Sequence, residues 1–188
     1  MTTKVLGISG SLRRASYNSA LLRAAVQHMP EGSLLEVASI RGIPLYDGDV
    51  EAQGIPPSVG QLKEAIVAAD GVLLVTPEYN NSIPGVFKNT IDWLSRPAAD
   101  SRRVFGGRRI AIIGASPGNF GTVLSQSAWL PVMRTLGVQL WTGGRLMVPR
   151  ANSVFDESGA LKDAPIEEAL RQFLAGFVAF LRRAPPLP

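Results

Sequence analysis

The feature that most restricts this chain is a set of short apolar runs separated by helical patterns. Val5 to Ile8, Val72 to Val75 and Ile110 to Ile113 each have the length and the branched side chains of a buried strand. A strand apolar at successive positions belongs in a sheet covered on both faces. Helices are written between the runs. Leu21, Leu22, Ala25 and Met29 repeat at helical spacing within Tyr17–Met29, and Ser58 reads as the cap of a helix reaching about Ala69. Phe87, Ile91 and Leu94 follow Pro84, a residue suited to a first helical turn, and Pro97 stops that segment. Val123–Leu136, with Pro131 as a kink, and Ile166–Leu181 complete the helices. The strands are Lys4–Ser9, Leu34–Ala38, Val72–Val75, Arg109–Gly114 and Val138–Trp141, the last with or without Leu146–Val148. This alternation predicts an α/β fold of three layers around a five-stranded parallel sheet in the order 2-1-3-4-5. The remaining stretches, 42–57, 98–107 and 149–163, read as irregular connections, and the Pro-rich end as loose. A length of 188 residues suits one domain spanning 1–188.

Composition narrows the chemistry by exclusion. There is no cysteine, so disulfides, thiolate metal sites and cysteine nucleophiles are ruled out. The one histidine, His28, lies within a helical pattern and is assigned no chemistry, and no metal site is expected. No signal-peptide pattern and no apolar run of membrane-spanning length is present, so a cytoplasmic location without a membrane partner is expected. The net charge of +4 suits anionic small molecules. No Lys/Arg tract with interleaved aromatics points to nucleic acid.

Candidate function lies in the loops after strands one, three and four, which a doubly wound sheet brings to one edge. The first, Gly10 to Ser19, leaves a strand and enters a helix, where free N–H groups meet the positive end of the helix dipole. Hydroxyls of Ser9, Ser11, Ser16 and Ser19, the Asn18 amide and the charges of Arg13 and Arg14 add donors suited to phosphate. The loop lacks the lysine of a P-loop and the third glycine of the dinucleotide fingerprint. A structural turn with a helix cap is the competing reading. Pro77–Asn81 offers amides and an aromatic ring to a flat heterocycle, or is simply a proline-framed turn. Ser116–Gly121 has little bulk, which lets a planar group approach the backbone or merely makes a turn.

The motifs G-S-L-R-R-A-S-Y-N (10–18), T-P-E-Y-N (76–80) followed by S-I-P-G and K-N-T-I-D-W-L (88–94), and G-A-S-P-G-N-F-G resemble the NADPH-dependent FMN reductase family, whose members reduce chromate, quinones and azo dyes. The likeness runs from about Val5 to Leu181 and includes I-P-L-Y-D at 43–47. It implies a flavodoxin-like fold, noncovalent FMN, and a homodimer or homotetramer. It also implies that Ser11, Arg13, Ser16, Tyr17 and Asn18 belong to the cofactor site, with Ser11, Arg13, Ser16 and Asn18 around the phosphate. Pro77, Glu78, Tyr79 and Asn80 would lie against the isoalloxazine, and Ser116 would approach its other side. Asn81 stands where relatives often carry tyrosine, and Thr122 where they often carry glycine. The implied reaction is a ping-pong cycle in which hydride passes from NADPH or NADH through FMN to a quinone, azo compound, free flavin or chromate. The flavin carries the chemistry, so no catalytic side chain is expected. The alternative is a flavodoxin-type FMN electron carrier without nicotinamide turnover, which the basic charge disfavours. Arg13→Ala is expected to weaken FMN binding by roughly 10- to 100-fold, the value of a charge-assisted hydrogen bond. Fluorescence titration of the flavin-free protein reads this directly, and unchanged affinity would place the phosphate elsewhere.

Overall fold

The structure, a computed structural model, describes residues 2–183; the Pro-rich end beyond them lies outside the described residues. The order of elements is β1 (Thr3–Ser9), α1 (Tyr17–Gln27), β2 (Ser33–Ala38), α2 (Gly48–Ala52), α3 (Pro57–Ala68), β3 (Gly71–Val75), α4 (Gly85–Leu94) and α5 (Ala98–Phe105). There follow β4 (Arg109–Ala115), α6 (Val123–Thr135), β5 (Gln139–Leu140), β6 (Met147–Val148), α7 (Ala151–Val154) and α8 (Ala164–Arg183). The sheet is parallel throughout in the order β2-β1-β3-β4-β5, as the alternation predicts. Its last position is split. β5 pairs with Arg109 and Ile110 at one end of β4, and β6 with Gly114 and Ala115 at the other. Between them Trp141 still donates its N–H to Ile110 O at 2.8 Å, and its ring packs against Phe173 and Phe177 of α8.

Period-two alternation sorts the strand residues between two cores. Val5, Leu73, Val75, Ala111, Ile113 and Ala115 pack on one face with α1 and α8. Leu6, Ile8, Val72, Leu74, Ile110 and Ile112 pack on the other with α3, α4, α5 and α6. β3 and β4 are buried at every residue, which is why both read as unbroken apolar runs. Each fully buried aliphatic side chain contributes about 1.5–3 kcal/mol toward holding the layers together.

Several local expectations need correction. Ser58 does not cap α3. The helix starts at Pro57 after Pro56, and the Ser58 hydroxyl donates to the Gly42 carbonyl at 3.1 Å. The stretch 98–107 holds α5 because Pro97 begins a helix as well as ending one, and Val104 and Phe105 fill the second core. The 42–57 connection contains α2, capped by Asp47, and is tied down by Asn89 and Trp93. Asn89 Oδ1 accepts from Tyr46 N at 2.8 Å, Asn89 Nδ2 donates to Pro44 O at 2.8 Å, and Trp93 Nε1 donates to the same carbonyl at 2.9 Å. The 149–163 loop contains α7. His28 ends α1 with its Nε2 at 3.6 Å from Glu167 Oε1 of α8.

Lys63 is buried on α3, donating to Arg96 O and to Asp100 Oδ2 at 2.9 Å. Arg103 donates to Asp100 Oδ1 at 2.6 Å and reaches Glu64. The Arg103 and Lys63 hydrogen bonds hold the Asp100 carboxyl below the usual 3.8, at about 2. A carboxyl lowered on folding adds stability above its unfolded pKa and loses that stability as pH falls toward the folded value. The difference in stability between the wild type and Asp100→Asn is therefore expected to be constant above about pH 5. It then shrinks by on the order of 1 kcal/mol between about pH 4 and pH 2, after allowance for solvent screening. Urea titrations across that range measure it, and a difference that stays flat contradicts the pairing.

Candidate functional site

β1 and β3 end level, Ser9 beside Val75, and Val75 lies beside Ile113 of β4, which runs two residues further. Just past these ends the chain stitches across. Gly10 N–H donates to Val75 O at 2.9 Å, Thr76 N–H to Ile113 O at 2.8 Å, and Ser116 N–H to Val148 O at 3.0 Å. All three loops singled out in the sequence leave from this edge.

The first loop passes so close to α4 that a Cβ on Gly10 would lie 2.2 Å from the Phe87 ring, so a glycine is required there. Ser16 caps α1, its hydroxyl accepting from Asn18 N at 3.2 Å and Ser19 N at 3.3 Å. The backbone N–H groups of Ser11, Leu12, Arg14, Ala15, Ser16 and Tyr17 make no hydrogen bond to another described residue. Unpaired donors gathered at a helix N-terminus fit an anion of phosphate type. Arg13 is exposed, with its guanidinium 5.3 Å from the centre of the Tyr17 ring, and that ring stacks on Phe155 at 6.0 Å. Asn18 is buried. Its amide donates to Ala115 O at 2.8 Å and its Oδ1 accepts from Ala115 N at 2.9 Å. The Asn18 side chain is thus committed to the end of β4, and its contribution here is to position the loop.

In the second loop, Tyr79 and Ser82 exchange backbone hydrogen bonds at 3.1 and 3.0 Å around Asn80 and Asn81, whose φ angles are 49° and 60°. Positive φ at both central residues is the type I′ hairpin turn, which asparagine tolerates better than most residues. Asn81 therefore suits its backbone. The turn leaves Tyr79 half exposed over buried Pro77. Glu78 points away from the turn. Its Oε2 accepts from Leu124 N and Ser125 N, both at 2.9 Å, and so supplies the first turn of α6 with a carboxylate. Beneath it, buried Thr76 Oγ1 receives Trp129 Nε1–H at 3.1 Å, shares a hydrogen bond with Ser125 Oγ at 3.0 Å and donates to Pro77 O at 2.8 Å. These residues fix the second loop, yet Ser125 and Trp129 carry no sequence signal beyond a helical repeat.

The third loop closes on itself. Ser116 Oγ donates to Gly121 O at 2.5 Å and accepts from Gly118 N at 3.2 Å, while Ala151 N of α7 donates to Ser116 O at 3.0 Å. Thr122 is buried, and a Cβ on Gly114 would lie 2.3 Å from its Oγ1. The glycine in β4 makes room for Thr122. The result is a small, preformed third wall. Among the described residues no group of His, Asp and Glu gathers to hold a metal.

The class this fold and edge define is a doubly wound, flavodoxin-like α/β protein with a loop of unpaired backbone donors and two further loops at the carboxyl ends of its strands. Residues 3–153 match the model of NADPH-dependent FMN reductases, and the chain belongs to that family. It is 46% identical over 180 residues to an NAD(P)H-dependent FMN reductase of Pseudomonas aeruginosa, covering 96% of each chain. It is 36% identical over 182 residues to a 2-hydroxy-1,4-benzoquinone reductase of a Burkholderia species, covering 97% of this chain and 98% of the relative. The solved flavoenzyme NAD(P)H:(acceptor) oxidoreductase FerB of Paracoccus denitrificans superposes with a TM-score of 0.86 at 30% identity, over 97% of this chain and 98% of that one.

Two truncations separate positioning from contact. Asn18→Ala removes both bonds to Ala115 and leaves a buried N–H and C=O without partners, so a loss of about 2–4 kcal/mol is expected. Glu78→Ala removes a half-exposed helix-terminus contact and is expected to cost about 1 kcal/mol. Urea denaturation measures both, and a smaller loss for Asn18→Ala than for Glu78→Ala contradicts these roles.

Proposed function

We propose that this chain is an FMN-dependent NAD(P)H oxidoreductase that passes reducing equivalents to quinones, with azo compounds, free flavin and chromate as further acceptors. Its 1–188 stretch would act as one FMN-binding domain, working as a homodimer or homotetramer in the cytoplasm. The observation that carries the reading is the set of backbone N–H groups of Ser11, Leu12, Arg14, Ala15, Ser16 and Tyr17, unpaired among the described residues and set beside the other two loops at the same sheet edge. Family membership and the quinone reductases among the relatives support the same chemistry.

In this reading the amides of the first loop, the Ser11 hydroxyl and Arg13 hold the FMN phosphate, with Ser16, Tyr17 and Asn18 keeping the loop in shape. Pro77, Glu78, Tyr79 and Asn80 form one wall for the ring and Ser116 the other. The bound flavin supplies reversible hydride acceptance, a capacity no side chain here has. Backbone N–H donors beside the ring favour negative charge on it. The Tyr79–Ser82 hairpin keeps that wall from collapsing into the open edge. Leu45, 82% exposed on the loop pinned by Asn89 and Trp93, and Phe120, 80% exposed, give a subunit interface apolar anchors.

Anaerobic mixing of the FMN-loaded protein with NADPH is expected to bleach the flavin absorbance within seconds. A quinone then restores the absorbance. Bleaching by dithionite but not by NADPH or NADH would make the chain an electron carrier, and failure to take up FMN would overturn the cofactor site.

A further inference from the structure

Arginines gather on the flank of the first loop that faces away from the two walls. Arg13, Arg14, Arg23 and Arg41 line one cavity of about 280 Å³ between that loop, α1 and the end of β2, and no carboxylate lines it. None of the four forms an ion pair with another described residue. Arg13, Arg14 and Arg23 also border a neighbouring cavity that holds Asp156 and Glu157. Arg41 is held in position, its Nη2 donating to Leu12 O at 2.8 Å while its backbone N–H is bonded by Ser39 Oγ at 3.1 Å. The rest of its guanidinium fork is left for a ligand. The FMN phosphate, as proposed above, needs the loop amides and Arg13, and uses neither Arg23 nor Arg41.

The same cavity has apolar walls that the fold does not require. β2 is the edge strand, and Val37 near its end is 59% exposed there; Leu12, across the cavity, is 39% exposed. Guanidinium forks for a phosphomonoester, serine hydroxyls beside them and an apolar pair for a flat base together match a phosphorylated nucleoside better than a bare anion. The family's reductant comes in two forms that differ by one such group, the adenosine 2′-phosphate of NADPH.

We propose that the cavity between the first loop and β2 binds the 2′-phosphoadenosine end of NADPH, with Arg23 and Arg41 as the residues that select NADPH over NADH. This rests on the reductase reading, in which the nicotinamide meets the flavin between the walls and the adenosine end lies elsewhere. Selection by Arg23 and Arg41 acts on binding, so it shows in KM more than in kcat.

Calorimetric titration of the FMN-loaded protein with adenosine 2′,5′-bisphosphate, 5′-AMP and inorganic phosphate tests the site without turnover. The bisphosphate is expected to bind at least tenfold more tightly than 5′-AMP or phosphate. That advantage shrinks as salt is raised. Arg23→Gln is the cleaner variant, because the Arg23 side chain makes no hydrogen bond to another described residue; Arg41→Gln also releases Leu12. Each is expected to erase most of the bisphosphate advantage and to lower the ratio of KM for NADH to KM for NADPH at least tenfold. Equal wild-type affinities for bisphosphate and 5′-AMP, or an advantage untouched in both variants, overturns the assignment. Phosphate binding as tightly as the bisphosphate reduces the site to a general anion trap and overturns it as well. A protein that binds the bisphosphate but whose flavin NADPH fails to bleach contradicts the reductase reading instead.

Discussion

The double hydrogen bond between the Asn18 side chain and the backbone of Ala115 ties the start of α1 to the end of β4. Between them lies β3, whose end is stitched to both neighbours through Gly10 and Thr76. Parallel strands leave their terminal carbonyls and amides in a slanted row, and a loop leaving such a row tends to fray unless something satisfies those groups. One buried amide does this across the width of the site. It holds the first loop against the start of the third, so that the spacing between the two loops is set by the sheet. The Thr76–Ser125–Trp129 hydroxyl and indole network does the corresponding work under the second loop, and Glu78 locks that loop to α6.

A site fixed in this way can rely on backbone donors. The first loop keeps six N–H groups unpaired within the described residues, yet its helix is properly capped by Ser16. The cap satisfies the inner donors and leaves the outer ones, which separates holding the helix from holding a ligand. Amides have no side-chain rotamers to order on binding, so a site built from them loses little entropy when filled. The arginines around the loop add charge at its rim, where it attracts anions from solvent.

The sheet was legible because its central strands are buried on both sides and their apolar runs have only one structural meaning. The three loops were legible because small and turn-forming residues break those runs at the same end of every strand. Elements whose stability comes from tertiary contacts were harder to read. α5 reads as a polar link until Val104 and Phe105 are seen in the core, and Ser58 reads as a cap until Gly42 is seen beside it. The split of the last strand into β5 and β6, at opposite ends of β4, is encoded by no local pattern. In the site, Asn18 was visible as a polar residue, but its partner lies 97 positions away. Arg41 was invisible as a candidate, because only the folded chain brings it against Leu12.

The most direct test is a crystal structure of the protein grown with FMN. The expected result is phosphate density within hydrogen-bond distance of the Ser11–Tyr17 amides, with the ring seated between the Tyr79–Ser82 hairpin and Ser116. Well-ordered FMN at any other place on the molecule would contradict a site formed by those three loops.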